Sequence, residues 1–141
     1  MKTRMIFAAL AGLTLSIGLN AGAVSAATAT GACTTGGYTA NNMITYTTSG
    51  TNWLIEYVSY MFSPSNSLST HNNVNEAMYS SSGSLLFAWN SPDTLIRTGS
   101  WYVANYFATP LVFSSGSRMV FTNIIDVPNA ADPQCTVTVQ R

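Results

Sequence analysis

The sequence predicts an all-β fold: a single antiparallel β-sandwich of about 7–8 strands, immunoglobulin-like in general architecture, with one disulfide linking its N- and C-terminal segments. Three observations predict it. Short runs rich in β-branched and aromatic residues recur at intervals of roughly ten residues, separated by Gly, Pro, Ser and Asn clusters. The chain is 141 residues long, with no internal repeat and no composition break, which is the size of one domain once a leader is set aside. Two cysteines, Cys33 and Cys135, bracket nearly all of the remainder. A closed barrel is the second architecture compatible with this spacing.

The leader comes first. Lys2 and Arg4 precede an apolar stretch from Met5 to Leu19, and Asn20 to Ala26 is small and polar, closing on Val24-Ser25-Ala26. That order is the order of a secretory signal peptide, with cleavage expected after Ala26 or, second, after Ala27. The apolar stretch is short and rich in glycine and alanine for a membrane span. A lipid anchor on Cys33 is disfavoured, because Thr30-Gly31-Ala32 lacks the usual leucine. The expected organisation is therefore a signal peptide over 1–26, an N-terminal arm over 27–37 and the sandwich over 38–141.

Removing residues 1–26 from the 141 leaves 115, with Arg97, Arg118 and Arg141 against Glu56, Glu76, Asp93, Asp126 and Asp132, a net side-chain charge of −2 and no lysine. Three scattered arginines cannot form the basic stripe that nucleic acid requires, nor a charge anchor for an anionic membrane. No later stretch is long and apolar enough to span a bilayer, so stable membrane insertion is not expected. Serine, threonine and asparagine must wet the surface, and a net charge near zero favours self-association. In an exported chain the two cysteines are expected to pair, as neither has a His, Lys or CxxC neighbour to make it a reactive thiol.

Each predicted strand follows from its pattern. Tyr38 to Thr48, after Gly36-Gly37, places Ile44 and Tyr46 on one face and Met43, Thr45 and Thr47 on the other. Ser49-Gly50-Thr51-Asn52 turns the chain into Trp53 to Phe62, where apolar residues on both faces predict a central strand with Glu56 its sole charge. Ser63-Pro64-Ser65-Asn66 opens a polar loop reaching about Asn73. Val74 to Ser80 has helical spacing at Val74, Ala77 and Met78, yet its flanks favour a strand. Ser81-Ser82-Gly83 then makes a hairpin turn into Ser84 to Asn90, with Leu85, Phe87 and Trp89 alternating against Leu86, Ala88 and Asn90. Ser91-Pro92-Asp93 is a turn. Trp101 to Phe107 and Leu111 to Phe113 read as two runs divided by Thr109-Pro110. Arg118 to Asp126 carries Met119, Phe121 and Ile125 on its apolar face, and Val127 to Pro133 is a loop. Cys135, Val137 and Val139 share one face of the last strand, which places the disulfide in or at the rim of the core.

Chemistry-bearing motifs are few. His71 is the sole histidine, in a polar loop, and as a general base it would need Glu76 or Asp93 beside it; an isolated loop histidine is ordinarily inert. No serine sits in a GxSxG elbow. Asp126 and Asp132 flank the 127–131 loop and have the oxygens calcium needs, or simply solvate a turn, as Asp132 before Pro133 suggests. No catalytic, cofactor or metal residue is assigned. The richest constellation is aromatic with polar neighbours: Trp89, Asn90, Asp93, Trp101, Tyr102, Asn105 and Tyr106. The same residues suit a sandwich core, a protein interface or a glycan platform. The leading expectation is a secreted, non-enzymatic interaction or structural module, a component or adaptor of an extracellular toxin, inhibitor or surface assembly, whose partner is another extracellular protein. Strand addition through the uncharged arm Ala27 to Ala32 is its natural mode. A carbohydrate-binding or cell-wall-binding module is the alternative, and a membrane-active toxin the third reading.

Overall fold

The computed structural model describes residues 25–65, 70–96 and 99–141. Residues 1–24, which hold nearly all of the expected signal peptide, lie outside the described residues. Eight strands form two four-stranded antiparallel sheets: β1 (Ala27–Thr35), β2 (Tyr38–Ser49), β3 (Asn52–Ser63) and β6 (Tyr102–Phe113) in the order β1-β2-β3-β6, and β4 (Asn73–Tyr79), β5 (Leu85–Asn90), β7 (Arg118–Ile124) and β8 (Gln134–Gln140) in the order β5-β4-β7-β8. The described residues contain no helix, and none long and apolar enough to cross a membrane.

The strand count agrees with the sequence, but two segments are drawn differently. Residues 27–37 are not an arm outside the sandwich. Ala27–Thr35 pairs residue by residue with β2, from Ala27 opposite Tyr46 to Thr35 opposite Tyr38, so the segment expected to reach a neighbour's edge completes its own sheet. Gly36 and Gly37, both at positive φ (55° and 81°), form the two-residue hairpin loop that makes this pairing local. Thr109-Pro110 does not divide two strands either. β6 runs through it, with residues 107–110 standing out of register between the Tyr57–Tyr106 and Ile55–Leu111 pairs, because proline has no N–H to give the ladder and β6 is an edge where that loss is tolerated.

The inner faces meet in one core built on Phe62, Phe113, Phe121, Ile44, Ile55 and Met119, all fully buried. On β3 the apolar residues change parity, from Ile55 to Val58, Tyr60 and Phe62, yet all four are buried. Glu56 is the cause: Ile55 pairs with Tyr46 and Leu111 while Tyr57 pairs with Thr45 and Tyr106, so Glu56 is a bulge residue that shifts the inward register by one. The two-faced apolar pattern in β3 thus reflects this shift as well as its central place. On β4 the inward residues are Val74, Glu76 and Met78, a strict period of two, and the half-buried Ala77 turns the other way.

The two long sides of the sandwich are closed differently. On one, Cys33 of β1 and Cys135 of β8 form a disulfide with a Cα–Cα distance of 6.0 Å. Beside it β1 approaches β8 so closely that a Cβ at Gly31 would collide with Val137 Cγ1. Asn42 of β2 and Asn123 of β7, both fully buried, exchange amide hydrogen bonds of 3.0 and 2.9 Å between the sheets, and Asn123 Nδ2 also lies 3.7 Å from Cys33 Sγ. On the opposite side β5 and β6 are not hydrogen-bonded to each other. There the sheets meet through Phe87 and Phe107, edge to face at 5.4 Å, and through the Glu76–Asn105 hydrogen bond.

Candidate functional site

The open β5/β6 side collects most of the residues singled out in the sequence, but sorts them into two groups. Inner-face pairing sets Trp89 opposite Glu76 on the neighbouring strand, and Trp89 is half-buried. Asn105, opposite Val58, points inward too, and its Nδ2 donates to Glu76 Oε2 at 3.2 Å. Trp101, Tyr102 and Tyr106 are exposed, as are Asn90 and Asp93 at the end of β5 and the following turn. Tyr106 is 71 % exposed because its strand partner Tyr57 lies on the outer face. Tyr102 keeps one ring face against Tyr60, at 6.2 Å between centroids. The seven residues are therefore neither wholly core nor wholly surface.

The exposed group extends beyond what the sequence singled out. Leu85 (58 %), Leu86, Ile96, Val103 (56 %) and Val112 are exposed as well, so every exposed large hydrophobic among the described residues lies between positions 85 and 112. Phe87 against Phe107 shows that the middle of β5 lies beside the middle of β6, and Val103, Tyr106 and Val112, opposite Ser59, Tyr57 and Leu54, share the outer face of β6, whereas Tyr102, opposite the buried Tyr60, sits at the inner rim. A sequence signal was present: Leu85-Leu86 and Tyr102-Val103 put apolar groups on both faces of strands that lack the central place β3 occupies. Neither β5 nor β6 holds an acid or a base, and Asp93 is exposed in the turn after β5. Two of the three arginines are engaged elsewhere, Arg118 over the Tyr79 ring at 5.0 Å and Arg141 over Trp53 at 5.4 Å.

Beneath this side sits Glu76, 2 % exposed, between Trp89 of β5 and Phe121 of β7 in the cross-strand row. Burial pushes its carboxyl up to about 7, and the Asn105 hydrogen bond pulls only partly the other way. Its Oε1 has no hydrogen-bond partner. Tyr60 nearby is also raised, chiefly by burial, with a backbone hydrogen bond at Ile96 opposing and the Tyr102 phenol adding. Glu76 was legible as an inward residue, since Val74 and Met78 flank it at two-residue spacing. Its pairing with His71 does not describe the structure: His71 is exposed ahead of β4, whereas Glu76 is buried and bonded to Asn105.

The remaining polar candidates hold loops. Asn72, fully buried, donates from Nδ2 to Leu95 O (2.6 Å) and accepts from Asp126 N at Oδ1 (3.0 Å), joining three segments at one end of the sandwich. Asp132 Oδ1 accepts from Val127 N at 3.1 Å, which fixes the 127–132 turn and points that oxygen at a donor. No group of three or more His, Cys, Asp or Glu side chains is placed to hold a metal ion among the described residues. Comparison with protein-family models, with curated proteins and with solved structures gives no match.

Proposed function

We propose that this chain is an exported, non-enzymatic interaction module that docks onto a protein partner through the β5/β6 side of the sandwich. The observation that carries the reading is the segregation of all described exposed large hydrophobics to residues 85–112. Scattered single hydrophobics are ordinary on a monomer, but here they are confined to one stretch of the chain, and Val103, Tyr106 and Val112 share the outer face of the edge strand β6. The disulfide is compatible with an extracellular protein. Expulsion through a leader over residues 1–26 remains part of the proposal.

Composition favours protein over glycan as the ligand. Stacking on sugar rings uses flat aromatic faces flanked by amides and carboxylates, yet five of the eight exposed hydrophobics, Leu85, Leu86, Ile96, Val103 and Val112, are aliphatic. Aliphatic groups beside Trp and Tyr are the makings of an interface core. Site-specific photo-crosslinking tests this. A photoreactive residue at position 106 or 86 is expected to yield discrete protein adducts from the extracellular medium, and one at position 30, on the exposed side of β1, none. Adducts to glycan or lipid from position 106, or equal labelling from position 30, would overturn the reading.

A further inference from the structure

We propose that the β5/β6 side of the sandwich is a pH-operated latch: protonated Glu76 keeps β5 seated against the opposite sheet, and ionised Glu76 releases it, while the β1/β8 side stays closed. The latch acts whatever partner docks there. Two features lead to it, the unequal fastening of the two long sides and the place of a buried carboxyl between them.

The β1/β8 side is fastened by the Cys33–Cys135 bond, by the paired amides of Asn42 and Asn123 and by the close packing of Gly31 on Val137. On the other side no backbone hydrogen bond joins β5 to β6, and the two strands do not approach each other as β1 and β8 do. The fastenings described there are the Phe87–Phe107 pair and the hydrogen bond from Asn105 Nδ2 to Glu76 Oε2. β5 is six residues long and hydrogen-bonded on one side, to β4. It can therefore leave its place without breaking any other strand pairing, which is the character of a segment that opens locally, below the cost of unfolding the domain.

Glu76 lies under this weaker side. Trp89 of β5 and Phe121 of β7 flank it in its own sheet, and Asn105, paired with Val58 of β3, faces it from the other. The ionisable groups on the surrounding elements give it no counter-charge. β5 and β8 hold no acid or base, and Arg118 of β7 is engaged with the Tyr79 ring. On β3 the inward phenol of Tyr60 is itself raised by burial and Glu56 of the bulge is another acid; on β6 Tyr102 sits at the inner rim and Tyr106 on the outer face. His71 ahead of β4 and Asp93 after β5 are exposed. An ionised carboxylate has about four acceptor sites to satisfy. Glu76 receives one donor, and its buried Oε1 receives none. The anion needs water, and the gap between β5 and β6 is the side on which the sheets can admit it without straining the disulfide.

Proton linkage sets the direction. The seated carboxyl is pushed up to about 7, and a hydrated one returns toward 4.5. The lifted state thus binds fewer protons between those values, so its population rises with pH across that window and levels off above it. From pH 5 to pH 8 the ratio of lifted to seated protein grows about 70-fold.

Hydrogen exchange read by mass spectrometry on the disulfide-bonded mature chain tests this, with wild type beside Glu76→Gln at each pH from 5 to 8 so that the intrinsic pH dependence of exchange cancels. Peptides covering residues 85–91, which include the Ser91 N–H bonded to Val74 O, are expected to be less protected at pH 8 than those of β2 and to keep that rate in low urea. Their opening in wild type relative to Glu76→Gln is expected to grow by the same factor of about 70 between pH 5 and pH 8. Glu76→Met, apolar and of similar length, is expected to behave as Glu76→Gln and takes its place if that variant does not fold. Equal protection of β5 and β2 at pH 8 means that Glu76 is hydrated only when the whole domain unfolds, and overturns the latch. A ratio of wild type to variant at β5 that stays constant with pH overturns it as well.

Discussion

Replacing Glu76 with glutamine should make the protein more stable at alkaline pH, although it removes a native group. Glu76 is raised from an ordinary 4.5 to about 7 by burial. Between those two values the folded state holds a proton that the unfolded state has released, so stability falls as pH rises across this window and levels off above it. At 1.36 kcal/mol per unit the ionised carboxyl costs the fold about 3 kcal/mol at pH 8 relative to pH 4.5. For a domain of this size that is a melting shift on the order of 10 °C. Glutamine has the same shape, retains an oxygen for Asn105 Nδ2 and carries no charge, so Glu76→Gln should match the wild type within about 1 kcal/mol at pH 5 and exceed it by about 3 kcal/mol at pH 8. The assay is urea unfolding with the disulfide intact at pH 5, 6, 7 and 8, read as the difference between the two proteins so that all other titrating groups cancel. A wild type and variant that differ by the same amount at every pH, or a variant less stable at pH 8, would refute the reasoning.

Three further outcomes follow from the opposite side of the sandwich. Cys33→Ser with Cys135→Ser opens a loop of 102 residues and should lower unfolding free energy by up to about 4–5 kcal/mol on chain-entropy grounds, seen as a reduced denaturant midpoint; an unchanged midpoint would show that β1 and β8 are held by other means. Gly31→Ala forces a Cβ against Val137 Cγ1 and should cost about 1–3 kcal/mol, with Val137→Ala added to Gly31→Ala restoring part of the loss in a double-mutant cycle; additive costs would place the collision elsewhere. Asn42→Ala strands the buried Asn123 amide and should cost about 1–3 kcal/mol or more, against a near-neutral Asn90→Ala at the exposed end of β5.

What the sequence disclosed and what it hid have separate physical causes. Alternation is a property of each strand, so Met119, Phe121 and Ile125, and the Cys135-Val137-Val139 face, were readable residue by residue. Parity fails at a bulge, and nothing local to Glu56 announces that two neighbouring strands both skip it. β1 escaped because Ala27–Thr35 is small and polar; it is a strand through its pairing with β2 and its disulfide, not through its own apolar pattern. Polar residues at inward positions were discernible by spacing, Asn42 between Ala40 and Ile44, Asn123 between Phe121 and Ile125, Glu76 between Val74 and Met78. Which of them meet across the sheets was not, because that depends on how the two sheets stack. The aromatic constellation divided for the same reason: Trp89 and Asn105 turn toward Glu76, Tyr102 lies at the inner rim opposite Tyr60, and Tyr106 turns out opposite Tyr57.

The Cys33–Cys135 bond also determines how the domain answers to tension. Gly31 lies against Val137 and Cys33 joins Cys135, so β1 and β8 run past each other in opposite directions and a pull on the two ends passes straight into the disulfide. Only residues outside the bond can peel away. The chain between the two cysteines, 102 residue steps or roughly 340 Å extended at about 3.3 Å per residue, is never paid out. Under load the described domain is a short inextensible link, and the β5/β6 side, away from the Cys33–Cys135 bond, is spared the strain.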